Sequence, residues 1–481
     1  MILKDILIGI EYLLIQGTLD ISINELKYDS RKITSNDVFI CINGTLDDGN
    51  KYIDDAVLKG AATIITNKNI KIAPHITVIK VDDTREALAI MSSNYYGNPK
   101  NNIKIIGITG TNGKTTTSYM IRSILKNAGF KTALIGTICN YIGDKKIETD
   151  KTTPESLELH KLLREMVDNN ITHCIMEISS HSLALKRTYG ITFEYGIFTN
   201  ITHDHLDFHG NFYNYYQSKK ILFINSKNSI INIDNEYGKS LLIEFKNRYT
   251  YSFKNNGSIS AKILCSSLEG SSFYLNYKEN SLPINLKIAG LYNIHNALAA
   301  SMVGILEGIS LDLIKFSLEN LPTIEGRFQY VCEEYPIDYK IIIDFAHSPD
   351  AIEKILNTVK PYTNGRIITV FGCVGNGDKD KRPIMGQIAT NLSDHVIITT
   401  DNPKNEDPEE IINDIKNGIS SDNYSVEIHR PAAIKKALSI AKKNDIVLIA
   451  GRGHESSMKI KDRTLYFTDE EVAIDFLEKR I

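Results

Sequence analysis

The chain has 481 residues, is 42% hydrophobic and 23% charged, and carries a formal net charge of −3. That length suggests about three domains, and the near-balanced charge advertises neither nucleic acid nor an anionic membrane as partner. No apolar run is long enough to span a bilayer, and the cysteines (41, 139, 174, 265, 332 and 373) lack a C-x-x-C pair, so reduced thiols in a cytoplasmic protein are expected.

The opening "MILKDILIGIEYLLIQGTLD" is apolar in patches interrupted by Asp5 and Glu11, and no small-residue cleavage site follows it. A helix packed on the first domain is expected there rather than a leader peptide. Short β-branched runs, "DVFICING" and "ATIITN", then flank the helical "YIDDAVLKGA". Turn formers concentrate in "YYGNPKNNIK" (95–104) and again in "LENLPTIEGRFQY" (318–330), marking two seams. The seams divide the chain into domains at residues 1–100, 101–322 and 323–481. In the second, "IKIIGIT", "THCIMEIS", "YGIFTNI" and "SIINID" alternate with helical patterns, which predicts a mainly parallel sheet covered by helices. The third repeats the style with "KIIIDFA", "RIITVFG", "HVIITT" and "DIVLIAG" between helices, so the fold class is α/β throughout.

The stretch "IKIIGITGTNGKTTTSYMI" (103–121) looks like a phosphate-binding loop with the wrong spacing. The usual pattern puts four residues between its first glycine and the Gly-Lys pair. Here two residues separate Gly110 from Gly113, and five separate Gly107 from it. "IKIIGIT" reads as a buried strand and "KTTTSYMIRSILKNAGF" as a helix, with Met120, Ile121, Ile124 and Leu125 on one face and Gly129 as its stop. Backbone N–H groups at such a strand-to-helix turn, with the helix dipole, hold phosphate oxygens. Lys114 then reaches the terminal phosphates and Thr115 offers its hydroxyl to Mg²⁺. The competing reading, a tight turn with a solvated lysine, is disfavoured by Gly-Lys-Thr-Thr in this context, and ATP is the expected ligand.

Metal-dependent phosphoryl transfer also needs oxygen or imidazole donors. Glu177, in "MEISSHSLALKR", falls at the carboxyl end of a strand, where open α/β sheets place ligands. "FTNITHDHLDFHG" packs His203, Asp204, His205, Asp207 and His209 into a short turn after another strand. Any of these histidines read alone is equally a helix cap or a backbone hydrogen-bonding group.

With these stretches in place, the sequence resembles a known family. "GTNGKTTT", "EISSHSL", "NITHDHLDFHG", "GLYNIHNALAA", "DFAHSPDAI" and "DNPKNEDP" come in the order seen in the Mur ligases, ATP-dependent amide-forming enzymes of peptidoglycan synthesis. The short loop is the form that family uses, and the likeness covers nearly the whole chain. The fold implied is a small N-terminal α/β UDP-binding domain, a central P-loop mononucleotide-binding domain and a C-terminal Rossmann-like domain. "KYDSRKITSNDVFICINGTLDDG", "TTPES", "DNPK" and "GRGHE" resemble the member that adds the third amino acid, extending UDP-N-acetylmuramoyl-L-alanyl-D-glutamate. The resemblance implies that Gly110, Thr111, Asn112, Gly113, Lys114, Thr115 and Thr116 bind ATP phosphates, and that Thr115, Glu177 and His205 serve magnesium. Lys219, in "YQSKKILF", falls where the family carries a carbamylated lysine, a cation converted into an anionic metal ligand. Lys114, Lys219, Glu177 and His205 form the implied catalytic set. Asn293, Arg327, Asp344 and His347 match nucleotide contacts. Ser30 matches a uridine-side serine, and Thr152, Thr153, Ser179 and Arg187 match residues holding the muramoyl peptide. A cytoplasmic monomer active in cell-wall biogenesis, cell shape and division is implied, with Mg²⁺ as cofactor and ATP as co-substrate.

Arg382, Asn402, Lys404, Gly451 and Glu455 fall where the family reads the incoming amine. Enzymes for meso-2,6-diaminopimelate usually have Asp-Asn-Pro-Arg, whose guanidinium pairs bidentately with the substrate's distal carboxylate. Lys404 stands in fourth place here, a point charge of the same sign without the planar fork. With L-lysine or L-ornithine it would face a second cation, so meso-diaminopimelate is favoured. "FGCVGNGDKDKRP" departs again, with Val374 and Gly377 where the family has glycine and arginine. The alternatives are the same reaction with lysine or ornithine, the D-alanyl-D-alanine-adding ligase, and, from another class, a P-loop switch protein that hydrolyses ATP without the UDP-sugar.

Overall fold

The computed structural model describes residues 1–44, 47–254 and 256–480. Thr45 and Leu46, inside the front motif "KYDSRKITSNDVFICINGTLDDG", lie outside the described residues. The chain forms two compact units: Met1–Gly107 with Phe130–Gly196 and Ile221–Lys227, and Ile108–Gly129 with Ile197–Lys220 and Asn228–Ile481.

The first unit contains a five-stranded sheet in the order Leu13–Gln16, Thr77–Lys80, Thr63–Thr66, Val38–Ile40, Leu26–Lys27. Only its first pair is antiparallel. Because side chains alternate across a strand, Val38 and Ile40 join one apolar cluster with Leu3, Ile6, Leu88 and Met91, while Phe39 joins another with Ile53, Ala56 and Ile64. The expected N-terminal helix is a single turn, Leu3–Ile6, followed by the edge strand Leu13–Gln16. Gly9 and Gly17, at φ +83° and +84°, stop helix on either side, and the Leu-Leu-Ile run between them pairs instead with Thr77–Lys80. Farther along this unit, His173–Glu177 pairs in parallel with Thr132–Ile135. Helix Ser156–Asp168 buries Leu159, Leu163 and Met166, three positions on one face.

In the second unit, helix Lys114–Asn127 follows directly on Gly113 and ends near Gly129, with Met120, Ile121, Ile124 and Leu125 fully buried. Helix Leu291–Leu306 packs against it. Ser226–Asn232, Arg248–Ser252 and Ile259–Ser266 pair in parallel, and two antiparallel strands, Ser271–Tyr277 and Asn280–Leu286, extend them. The remainder is a six-stranded sheet ordered Gln329–Val331, Lys340–Asp344, Ile446–Ala450, Ile367–Phe371, His395–Ile398, Tyr424–Val426. All pairs but the first are parallel. All four strands read from the sequence in this region are present. Both faces are apolar: Ile342, Leu448, Phe371 and Val396 belong to one core, and Ile341, Val447, Val370 and Ile397 to the other. A sheet buried on both sides reads as continuous Ile/Val runs rather than as alternation. Its strands' carboxyl ends bring Asp344, Cys373, Asp401 and Gly451 to one edge, the usual ligand edge of such sheets.

Candidate functional site

The glycine loop is shaped by its neighbours. Gly110 and Gly113 have φ of +155° and +88°; a Cβ on Gly110 would meet Thr199 Oγ1 at 1.9 Å, and one on Gly113 would meet Asn296 Oδ1 at 2.4 Å. The backbone N–H of Thr111 donates to the Asn200 carbonyl (2.9 Å) and that of Asn112 to Asn200 Oδ1 (3.0 Å). The Asn112 carbonyl accepts from Thr199 Oγ1 (2.6 Å) and Asn200 Nδ2 (3.0 Å). Lys114 Nζ folds over this turn, donating to the carbonyls of Gly110 (2.8 Å) and Thr111 (3.0 Å). Asn293, expected at the nucleotide, is buried with its amide engaged: it donates to the Ala289 carbonyl (2.7 Å) and accepts from Asn296 Nδ2 (3.0 Å). Asn296 in turn accepts from Thr117 Oγ1 (3.2 Å) and fills the space beside Gly113. The pair thus sets the loop's shape, and Thr116 is buried behind it.

Arg327 Nη2 donates to Thr115 Oγ1 (3.0 Å), and its guanidinium lies 4.6 Å over the Phe345 ring. Asp344 accepts from the Phe328 N–H (2.7 Å); burial pushes its carboxyl up, against the pull of Arg327. His347 donates from Nδ1 to the Phe345 carbonyl (2.8 Å), and burial, with Lys381 near, lowers it to about 4, so the ring is neutral. Asn112 Nδ2 also reaches Asp350 Oδ2 (2.7 Å).

Two residues not singled out in the sequence join the metal-donor candidates of this unit. Tyr215 is fully buried, shares a hydrogen bond with Thr111 Oγ1 (3.0 Å), lies 6.1 Å from the His205 ring and has Lys219 Nζ 4.5 Å over its own. Lys381 donates to Asp204 Oδ1 (3.1 Å), the oxygen that also accepts from the His205 N–H (3.0 Å). Both Asp204 and Lys381 are buried, so the pair fixes the His205 turn, whose φ is +56°. Lys219 is 2% exposed, and among the described residues no hydrogen bond or ion pair reaches its Nζ. Burial, then Lys114, holds its ammonium well below the usual lysine range.

In the first unit, Glu177 is fully buried and accepts from the Thr137 N–H (3.1 Å) and Oγ1 (2.9 Å). Thr137 Oγ1 also meets Thr152 Oγ1 (3.1 Å), while Thr153 Oγ1 donates to the Glu177 carbonyl (2.8 Å) and accepts from the Ser179 N–H (3.2 Å). Arg187 Nη1 donates to the Thr153 carbonyl (3.1 Å) and its Nε lies 3.3 Å from Glu155 Oε2, which Arg85 also pairs at 3.2 Å. Five expected residues are therefore one hydrogen-bonded group. Gly136 makes room for it, since a Cβ there would lie 2.4 Å from Glu177 Oε1. Thr137 and Glu155 were not foreseen as members. Ser30 is buried in the turn Ser30–Lys32, where Lys59 donates to its carbonyl (3.2 Å).

At the carboxyl edge of the six-stranded sheet, Lys404 has φ +53° and is pinned by its backbone to strand Ser457–Ile460, which forms a hairpin with Arg463–Tyr466, its N–H donating to the Lys459 carbonyl (2.9 Å). No hydrogen bond or ion pair among the described residues reaches its ammonium. Asn402 accepts from the Lys459 N–H (3.0 Å) and bonds the Glu455 side chain. Gly451, at φ +112°, admits Asp401 Oδ2 where a Cβ would stand 2.5 Å away. Arg382, expected at the incoming amine, is fully enclosed and donates to Glu406 Oε2 (3.0 Å) and Oε1 (3.1 Å), Asp414 Oδ2 (2.8 Å) and the Val374 carbonyl (3.3 Å). Those donors are committed within the protein. Arg382 thereby holds the turn that carries Lys404.

A strand–loop–helix phosphate cradle, acidic and imidazole groups beside it, and charged residues along the carboxyl edge of a second α/β sheet define a nucleotide-dependent enzyme of the α/β class. Comparison with known proteins makes this particular. Three family models match successive segments: "Mur ligase family, catalytic domain" (22–96), "Mur ligase middle domain" (108–304) and "Mur ligase, glutamate ligase domain" (326–453). A curated UDP-N-acetylmuramoyl-L-alanyl-D-glutamate–2,6-diaminopimelate ligase of Clostridium tetani is 49% identical over 99% of each chain, and one of Clostridium botulinum 50% identical over 95% of each. A solved structure of a ligase of the same name superposes with TM-score 0.69 at 28% identity, covering 100% of this chain and 99% of that one. The chain belongs to the Mur ligase family of ATP-dependent amide ligases and has its three-domain α/β fold.

Proposed function

We propose that this ligase joins meso-2,6-diaminopimelate to the D-glutamate carboxyl of UDP-N-acetylmuramoyl-L-alanyl-D-glutamate in peptidoglycan synthesis. The observation that carries the choice of amine is the pairing of opposite charges on one edge, Lys404 with an uncommitted ammonium and Glu455 with a carboxyl. A diamino diacid offers a distal carboxylate to the first and a distal ammonium to the second, whereas lysine or ornithine leaves Lys404 facing a cation. The full-length relatives named for diaminopimelate support the same reading.

ATP phosphorylates the glutamate carboxylate, the amine attacks the acyl phosphate, and phosphate leaves from a tetrahedral intermediate. Lys114 and the N–H groups at the head of the helix that begins there spread charge on the transferring phosphoryl group. Arg327, stacked on Phe345 and bonded to Thr115, orients the hydroxyl at the head of the helix. No protein nucleophile is needed, and positioning supplies much of the rate. Thr115, His205 and Lys219 in the second unit, and Glu177 in the first, are the proposed magnesium donors. When bound, the ion neutralises phosphate charge. Buried Lys219 fits this role as a carbamate: its neutral amine attacks CO₂, a proton leaves, and an anion replaces a cation that no hydrogen bond or ion pair among the described residues reaches. The protein is expected to work in the cytoplasm as a monomer.

The deciding experiment offers meso-diaminopimelate, L-lysine and L-ornithine in competition, with ATP and the UDP-muramoyl dipeptide, and identifies the amide by mass spectrometry. Diaminopimelate product should dominate. Preference for lysine would overturn the assignment of Lys404, and ATP hydrolysis without dipeptide or amide product would overturn the ligase reading.

A further inference from the structure

Behind Glu455 lies a cluster of charges that the reaction itself does not use. Arg430, Arg452 and Asp469 are 0% exposed and Asp401 1%. Asp469 takes Arg430 bidentately, Nε to Oδ1 at 2.8 Å and Nη2 to Oδ2 at 2.7 Å, and stands 3.5 Å from Arg452 Nη1. Arg452 lies 4.4 Å over the Phe467 ring and donates from Nη2 to the Glu455 carbonyl (3.1 Å), while its Nε stays 3.8 Å from Glu455 Oε2. Asp401 Oδ2 is buried without a hydrogen-bond partner among the described residues. Lys381, the other cation that Asp401 senses, is committed to Asp204.

Counting formal charges, three acids (Asp401, Asp469, Glu455) face two arginines (Arg430, Arg452). An uncompensated buried charge is costly and is relieved by a proton or a counter-ion. Resting on the diamino-acid reading above, we propose that Asp469 is a positioning residue for the incoming amine: by engaging both buried arginines it leaves Asp401 and Glu455 one cation short, so that an ammonium group is demanded in front of Glu455. In the free protein a proton fills that place. Burial and Asp401 push the Glu455 carboxyl up to about 7, in keeping with this. On binding, the Glu455 carboxyl O–H bond breaks, the proton passes to solvent, and the substrate's distal ammonium takes over its charge.

The test compares meso-diaminopimelate with 2-aminopimelate, which lacks the distal amine, with ATP and UDP-muramoyl dipeptide present. Wild type should favour the diamine by at least about tenfold in kcat/KM, and Asp469→Asn should shrink that ratio several-fold while leaving the KM for ATP unchanged. Asp469→Glu should restore the ratio. In a separate measurement on wild type, calorimetry near pH 6 in buffers of different ionisation enthalpy, with a non-hydrolysable ATP analogue, should show release of about one proton with the diamine and none with 2-aminopimelate. An unchanged ratio in folded Asp469→Asn, or equal proton release by both ligands, would overturn the proposal. Absence of any amide from diaminopimelate in wild type would instead overturn the reading beneath it.

Discussion

Lys404 concentrates the question of amine choice in one side chain. Its backbone is held at φ +53° by a hairpin, so the fold sets where the flexible stem that carries the ammonium begins. Lys404→Ala should raise the KM for diaminopimelate by about tenfold or more, the value of losing one charge-assisted contact, and leave the KM for ATP unchanged in steady-state assays. Equal effects on both would place the residue outside the amine pocket. Gly113 makes a second case at this scale. Gly113→Ala drives a Cβ to within 2.4 Å of Asn296 Oδ1 at a φ of +88°, so it should both lower the melting temperature and raise the KM for ATP. Gly113 was legible in the sequence because the Gly-Lys-Thr pattern names it. Asn296 was not, because nothing in its local pattern tells a loop-shaping amide from an ordinary helix residue.

Elements hold these residues through charges that span long stretches of chain. The loop around Val374 and the turn at Glu406 are tied by Arg382, whose guanidinium serves two carboxylates while fully buried. Arg382→Ala removes the enclosed partner of half-buried Glu406, which keeps Lys379 at 3.5 Å, and should cost about 1–3 kcal/mol. Differential scanning calorimetry should register the loss, together with a raised KM for the amine as the Lys404 turn loosens. Direct recognition of substrate by Arg382 would instead show a KM effect with no loss of stability. The same scale explains the shortened first helix. Apolar periodicity in residues 1–16 fits helix and strand alike, and Gly9, Gly17 and the distant pairing partner Thr77–Lys80 decided it.

For the molecule as a whole, stability should depend on pH through a residue outside the chemistry. His160 is fully buried on helix Ser156–Asp168, neither ring nitrogen has a hydrogen-bond partner among the described residues, and burial, with Lys100 adding to it, lowers its pKa to about 3. Its folded pKa lies below the unfolded value near 6.5, so the unfolded chain binds the extra proton between the two. This contribution is intact above about pH 6.5 and is lost as pH falls toward 3, at up to about 1.4 kcal/mol per pH unit. His160→Leu should flatten the dependence of urea midpoint on pH across that window; an unaltered slope would show that other groups carry it.

The sequence by itself determined the α/β class, the phosphate loop and the family, because strand runs, glycine positions and Gly-Lys-Thr-Thr are local patterns with local physical causes. It also named the members of the Glu177 group, although not Thr137 or Glu155, which complete the bonding. What only the tertiary structure decided is which charges are spent and which are free. Arg382 and Lys404 look alike in a sequence as cations of two neighbouring motifs, yet one is fully enclosed, with Glu406 and Asp414 as partners, and no hydrogen bond or ion pair among the described residues reaches the other's ammonium. Burial and partner choice are set by residues tens of positions apart, and the energy of a charge depends on both.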